Sequence, residues 1–122
     1  MDRDEYMSFV TEYSGEKAEF PFASSPDTAV FRHSNNRKWF AVIMNVPYEK
    51  LGLSKKKNVY IVNLKCDPLL TASLFKEGGV FPAYHMNKEK WISVLLDGSN
   101  DKDKLKWLTE ISFCLTAKNK RK

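Results

Sequence analysis

Apolar residues recur along this chain with two periods, and where one gives way to the other the elements can be read off. Tyr6, Phe9, Val10 and Tyr13 fall on one helical face; Asp2 and Glu5 stand ahead of them at capping-box spacing and Gly15 ends the pattern, so a first helix is predicted. From Glu16 to Asp27 no period survives. Phe20-Pro21-Phe22 and then Ser24-Ser25-Pro26-Asp27 predict an ordered loop held by its aromatic side chains. Thr28 to His33 is short and β-prone, Ser34 to Arg37 is turn chemistry, and Lys38 to Val46 is strand-like until Pro47, which predicts a hairpin. In its second strand, alternation sends Phe40, Val42, Met44 and Val46 to the core, with Trp39, Ala41, Ile43 and Asn45 on the other face.

A loop containing Gly52 and Lys55-Lys56-Lys57 leads to a third strand over Asn58 to Cys66, in which Tyr60, Val62, Leu64 and Cys66 oppose Val59, Ile61, Asn63 and Lys65. Asp67-Pro68 is a helix start, because aspartate accepts from orphan amides and proline fits the first helical position. Leu70, Leu74 and Phe75 form its buried side and Gly78-Gly79 closes it. Val80 to Tyr84 is a short strand whose Pro82 suits an edge. Met86 to Lys90 is a turn and Trp91 to Leu96 a final strand. After the turn Asp97 to Asn100, the residues Leu105, Leu108, Ile111 and Leu115 mark a last helix. Together these predict an α+β fold: an antiparallel sheet of about five strands with helices packed on one face, a two-layer sandwich.

Length and charge refine this only slightly. A chain of 122 residues, 43% hydrophobic and 13% aromatic, suffices for one core, so residues 1–117 are expected to form a single domain. The net charge is +5, but Lys118, Lys120, Arg121 and Lys122 account for four of the five, so residues 118–122 read as a frayed basic tail on a nearly neutral body. No apolar run approaches the roughly 20 residues of a membrane span, and the charged start is unlike a signal peptide, so a cytoplasmic protein without membrane contact is expected. Cys66 and Cys114 have neither disulfide nor zinc spacing and are expected to be small buried residues. His33 is read as a strand-end residue without a role. No cofactor and no metal are expected.

Four stretches then stand out: Arg37-Lys38-Trp39-Phe40-Ala41, Leu64-Lys65-Cys66-Asp67-Pro68, the run Tyr84-His85-Met86-Asn87-Lys88-Glu89-Lys90-Trp91, and Ser112-Phe113. Together they resemble the MmcQ/YjbR family of small bacterial proteins, over about Phe20 to Ala117. The resemblance implies a frataxin/CyaY-like fold and a DNA-binding role. The chain departs from the family pattern at Lys90, where histidine commonly precedes the tryptophan, and at Phe113, where tyrosine is common. Lysine is no proton shuttle near neutral pH without a large pKa shift, so the expectation is a binding module and not an enzyme. Frataxin-like iron handling is not expected, because Asp2, Asp4, Glu5 and Glu12 make too sparse an acidic face.

The strand pattern also gathers a surface. If the helices cover the face bearing Phe40, Val42, Val62, Leu64, Ile92 and Val94, then Arg32, Trp39, Asn45, Asn63, Lys65, Trp91 and Ser93 share the opposite one. Cations, amides and flat rings in one place suit stacking on bases and neutralisation of phosphates. The alternative is that the tryptophans pack under a loop, Phe20 to Phe22 or Tyr84, as a second small core. Arg37-Lys38 and Lys55 to Lys57 read as two basic wings on a nucleic-acid backbone, with solvated loops as the alternative. His85 is expected chiefly to hold the turn before Trp91, with Lys88 and Lys90 beside it. The binding set is therefore Arg32, Arg37, Lys38, Trp39, Lys65, His85, Lys88, Lys90 and Trp91. The partner is DNA or, alternatively, an acidic protein or small anion on the same face, with the protein a monomer or weak dimer.

Overall fold

Each helix begins where a carboxylate takes up an amide that the helix leaves unpaired. Asp2 accepts from the Glu5 amide to open α1 (Arg3–Ser14), Asp67 from Leu69 to open α2 (Pro68–Glu77), and Asp101 from Lys104 to open α3 (Lys102–Thr116). The computed structural model describes residues 1–117; the basic tail expected over 118–122 lies outside them. The strands β1 (Ala29–Arg32), β2 (Trp39–Pro47), β3 (Asn58–Lys65), β4 (Val80–Pro82) and β5 (Trp91–Leu95) form one antiparallel sheet in the order β1-β2-β3-β5-β4. β4, with its proline, is at one edge. At the other edge the Glu19 backbone exchanges two hydrogen bonds with Val30.

The three helices share one face of the sheet. Tyr6 and Val10 of α1, Leu74 of α2, and Leu105 and Leu108 of α3 are buried against Phe31, Phe40, Ala41, Ile43, Val62, Leu64, Ile92 and Val94. Val42, Met44 and Val46 do not join them, which corrects the alternation read from the sequence. Phe31 pairs with Ala41 but the next residue, Arg32, pairs with Trp39, so Phe40 is an extra residue in β2. A two-against-one bulge of this kind puts Phe40 and Ala41 on the same side and reverses the parity of everything that follows. Trp39 stays on the outer face, Val42, Met44 and Val46 join it there, and Asn45, paired with Tyr60, takes the helix-side parity.

Where the bulge interrupts the ladder, α3 supplies the missing bond. The Ser112 hydroxyl accepts from the Lys65 amide at 2.9 Å and donates to the Phe40 carbonyl at 2.6 Å, so it stands in for a direct β2–β3 link. A turn further on, Thr116 Oγ1 and the Phe113 carbonyl meet His33 Nε2 at 2.9 and 3.1 Å, and the imidazole packs against both the Phe40 and Phe113 rings, which also touch each other edge to face. His33 is thus a buried clasp between the β1–β2 loop and the end of α3. Asn36 donates to the Thr116 carbonyl beside it. Cys66 is buried as expected, and burial pushes its thiol up; Cys114 is exposed on α3, contrary to expectation, because its position on the helix faces away from the sheet.

On the outer face, a 3-10 turn at Tyr48–Leu51 folds the β2–β3 connection back over the sheet. Val46, Tyr48, Val59, Ile61 and Leu95 form a second small core there, with Tyr84 and Phe81 packed against it. A second core therefore exists, but it is built from aliphatic residues and tyrosine and not from the tryptophans.

Two outcomes are expected from these contacts. Ser112→Ala orphans the Lys65 amide and the Phe40 carbonyl together and lowers the unfolding free energy by about 2–3 kcal/mol; urea titration measures it, and a loss under about 0.5 kcal/mol would mean that the strands re-pair without the hydroxyl. Burial lowers the His33 pKa, with the Phe113 carbonyl and the charge of Glu16 opposing it. The unfolded chain then binds the extra proton more readily. His33 accordingly contributes its full stability above its unfolded pKa of about 6.5, and loses it as pH falls from there through the folded value. Thermal unfolding of His33→Gln between pH 7.5 and 5 should show a flatter dependence than the parent; parallel curves would exclude the contribution.

Candidate functional site

The strand registers place four of the sequence-selected residues in one line. Arg32 pairs with Trp39 across β1 and β2, and Lys65 pairs with Trp91 across β3 and β5, both at the end of the sheet where β2 begins and β3 finishes. The row Arg32, Trp39, Lys65, Trp91 therefore runs over four strands on the outer face, each side chain half-buried. Arg37 and Lys38 project from the β1–β2 loop at this end, and Lys88 and Lys90 from the turn before β5; all four are exposed. Arg32 is engaged by Glu19 at 2.9 Å. Lys55 to Lys57 precede β3, whose first residue pairs with the last of β2, so they lie at the opposite end, about 25 Å away along the strands. The two basic wings do not flank one site.

Both flanking loops are held in place. In the first, the His33 carbonyl accepts from the Arg37 amide and the Lys38 carbonyl from the His33 amide, while Asn36 Oδ1 takes the Lys38 amide; Arg37 sits at φ +66°. In the second, Asn87 accepts from the amides of Lys90 and Trp91, and the Lys90 carbonyl extends the β3–β5 ladder to the Cys66 amide. Asn63 and Ser93, expected on the exposed polar face, are instead fully buried. Tyr84 covers them. The Ser93 hydroxyl accepts from the Tyr84 amide at 2.9 Å and donates to Asn63 Oδ1, and Asn63 Nδ2 donates to the Tyr84 carbonyl at 2.9 Å. A buried polar pair on adjacent strands is satisfied only by holding that backbone, and this is why the polar residues turned up in the middle of the face.

Beyond this clasp the outer face opens into a cleft of about 360 Å³, lined by Phe22, Ser24, Ser25, Thr28, Trp39, Val42, Met44, His85 and Met86. The sequence reading missed Val42, Met44 and Met86, because the bulge that turns the first two outward leaves no mark in a period-two pattern. Phe22 meets the Trp39 ring edge-on at 6.0 Å, so the aromatic loop does contact one tryptophan while leaving one flank of it in the cleft. His85 packs against Tyr84 with the rings tilted and their centres 3.9 Å apart, and it occupies the left-handed region at φ +62°. It is the one titratable side chain among the described lining residues. Flat rings, thioethers and hydroxyls beside a row of cations can stack on a planar group and neutralise an adjoining anion. Among the described residues no three His, Cys, Asp or Glu side chains are grouped to hold a metal ion, and no helix is long and apolar enough to cross a membrane.

Comparison with known proteins assigns the family. The YjbR family model matches residues 11–115. The chain belongs to the YjbR family. Another member, the Bacillus subtilis (strain 168) protein YyaQ, is 38% identical over 116 residues, 95% of this chain and 98% of that protein. The crystal structure of a Pseudomonas syringae protein superposes with a TM-score of 0.93 at 44% identity, covering 96% of this chain and 100% of that one. A Deinococcus radiodurans structure is more distant, at 25% identity and a TM-score of 0.69 over 92% of this chain and 75% of that one. The match across the YjbR region spans every strand of the sheet, the bulge and both loops that flank the cleft.

Asn63→Ala should leave the Tyr84 carbonyl without its donor and the Ser93 hydroxyl without its acceptor, at a cost of about 1–3 kcal/mol. Hydrogen exchange should then show faster exchange at the Tyr84 and His85 amides than in α3. Uniform acceleration through the whole chain would instead mean that Asn63 supports global stability and has no particular hold on the loop.

Proposed function

We propose that this YjbR-family protein is a non-enzymatic binding module for DNA. The observation that supports it is the row Arg32, Trp39, Lys65, Trp91, with Arg37, Lys38, Lys88 and Lys90 around its end of the sheet. Cations alternating with indole rings meet the two features common to any strand, the phosphates and the flat faces of the bases. The loops that carry the outer cations are tied to the fold by backbone and side-chain bonds, so little conformational freedom is lost on contact. We assign the protein to a bacterial cytoplasm, in keeping with relatives from Bacillus, Pseudomonas and Deinococcus, and treat the sandwich as frataxin-like. An acidic protein or a small anion on the same face is the second reading, favoured by the defined, partly open cleft beside Trp39.

Lys65→Glu combined with Lys88→Glu tests the surface. Fluorescence anisotropy with labelled DNA should show a salt-dependent affinity in the parent, and in the double variant both a large loss of binding and a shallower salt slope, by about 0.7–0.9 for each phosphate contact removed. A chain lacking residues 118–122 controls for attraction by the basic tail and should keep most of the binding. Unchanged affinity in the double variant would eliminate this surface. A saturable thermal shift with acidic metabolites and none with polymers would favour the small-anion reading.

A further inference from the structure

We propose that the cleft between Phe22 and His85 is a pocket for a single unstacked nucleobase. This rests on the nucleic-acid reading above and adds the chemical group that is recognised and the kind of strand that presents it.

The volume of about 360 Å³ is at the small end of the roughly 300–1,000 Å³ usual for ligand sites, which suits one ring system and not a chain of them. The walls are matched to a flat ring. Phe22 and Trp39 are set edge to face, and Met44 and Met86 offer polarisable sulfur, which packs well on aromatic groups. The rim is polar. Ser24, Ser25 and the His85 ring place donors and acceptors where the edge of a heterocycle would reach, while the bond from Ser25 to Thr28 at 2.6 Å holds that side of the loop in shape. No acidic side chain is among the described lining residues, so the pocket does not oppose a group that brings phosphates with it.

Two further observations distinguish this cleft from a gap between loops. Trp39 belongs both to the pocket wall and to the cation row, so a base entering beside it leaves its flanking phosphates near Lys65 and the loop lysines. His85 is a non-glycine residue in the left-handed region, and it follows directly on Tyr84, whose backbone is held by the buried clasp of Asn63 and Ser93. Such conformations persist only where the surroundings over-determine them, and they collect at ligand clamps. A duplex cannot fill this pocket without unpairing, because its bases are stacked on both faces and bonded at their edges; a single strand presents them free. Selectivity for single strands follows.

The four methionines make a direct reporter. Met44 and Met86 line the cleft, whereas Met1 and Met7 pack on the helix side. With methyl-labelled methionine, an oligodeoxythymidylate should shift Met44 and Met86 saturably and leave Met1 and Met7 in place. An abasic deoxyribose-phosphate strand of the same length and a duplex should leave all four unmoved. Phe22→Ala, at a partly exposed position, should weaken binding of the thymidylate strand about tenfold and bring it to the level of the abasic strand. If the strand binds by anisotropy while Met44 and Met86 stay silent, or if the abasic strand shifts them equally, the pocket assignment is overturned and the DNA-binding proposal stands. If no polymer binds but thymidine monophosphate shifts the same two methyls and Phe22→Ala removes the shift, the pocket stands and the DNA-binding proposal falls. No response to any of the four probes overturns both.

Discussion

One serine hydroxyl closes the break between β2 and β3, and the two faces of the sheet follow from it. The bulge at Phe40 leaves the Phe40 carbonyl and the Lys65 amide without each other, and Ser112 takes both. Left unmade, two buried backbone groups would cost several kcal/mol, enough to offset much of a small domain's stability. The hydroxyl comes from α3, so the repair also fixes where that helix sits. With the helix seated there, Phe40 and Ala41 both turn inward to meet it and Trp39 is left outside with Arg32. The residue that completes the helix-side core thus belongs to the same local event that exposes an indole on the other side.

Several other polar side chains act in a similar way, each on a loop. Asn63 and Ser93 hold the backbone of Tyr84, His33 and Asn36 hold the β1–β2 loop to the last turn of α3, and Asn100 Nδ2 donates to the carbonyls of Gly79 and Leu95. A polar side chain under a loop is satisfied only if the loop keeps one conformation, so these residues exchange apolar burial for specificity of position. At the Trp39 end two such clasps fix the two loops that carry Arg37, Lys38, Lys88 and Lys90. The proposed binding surface is therefore a rigid frame around a cleft, although most of its charged groups are on loops.

Much of this was legible in the residues. The caps at Asp2 and Asp67, the stops at Gly15 and Gly78, the hairpin, the edge strand with Pro82 and the order of elements all rest on short-range chemistry that a sequence displays directly. The α+β sandwich followed. The bulge did not, because it adds a residue without changing composition, and alternation was continued through it. Trp39 was nevertheless assigned to the correct face, since it precedes the extra residue; Val42, Met44 and Val46 follow it and were assigned to the wrong one. Asn63 and Ser93 were on the right face but buried, because strand parity says which way a side chain points and nothing about what lies over it. The cleft was out of reach for the same reason: its walls come from the 20–28 and 83–90 loops, whose meeting is decided by packing at long range.

The two ends of the sheet dispose their charges differently. At the end remote from Trp39 acids and cations are mixed: Arg3 pairs with Asp4 and lies over the Tyr60 ring, Glu5 binds Lys102, Asp97 accepts from Tyr48, and Lys55 to Lys57 stand at the same end. At the Trp39 end the acids are largely engaged in the fold, Glu19 with Arg32, Glu16 with the Ser34 amide and Asp67 with the Leu69 amide. Glu89 alone shares the turn with Lys88 and Lys90. Net charge sets how strongly a body attracts a polyanion at a distance, whereas the separation of charge sets which side it presents on arrival. A nearly neutral body whose acids at the Trp39 end are mostly engaged while its lysines there stay exposed gains orientation without much indiscriminate attraction, which would suit the proposed contact with a few nucleotides better than coating of a long backbone.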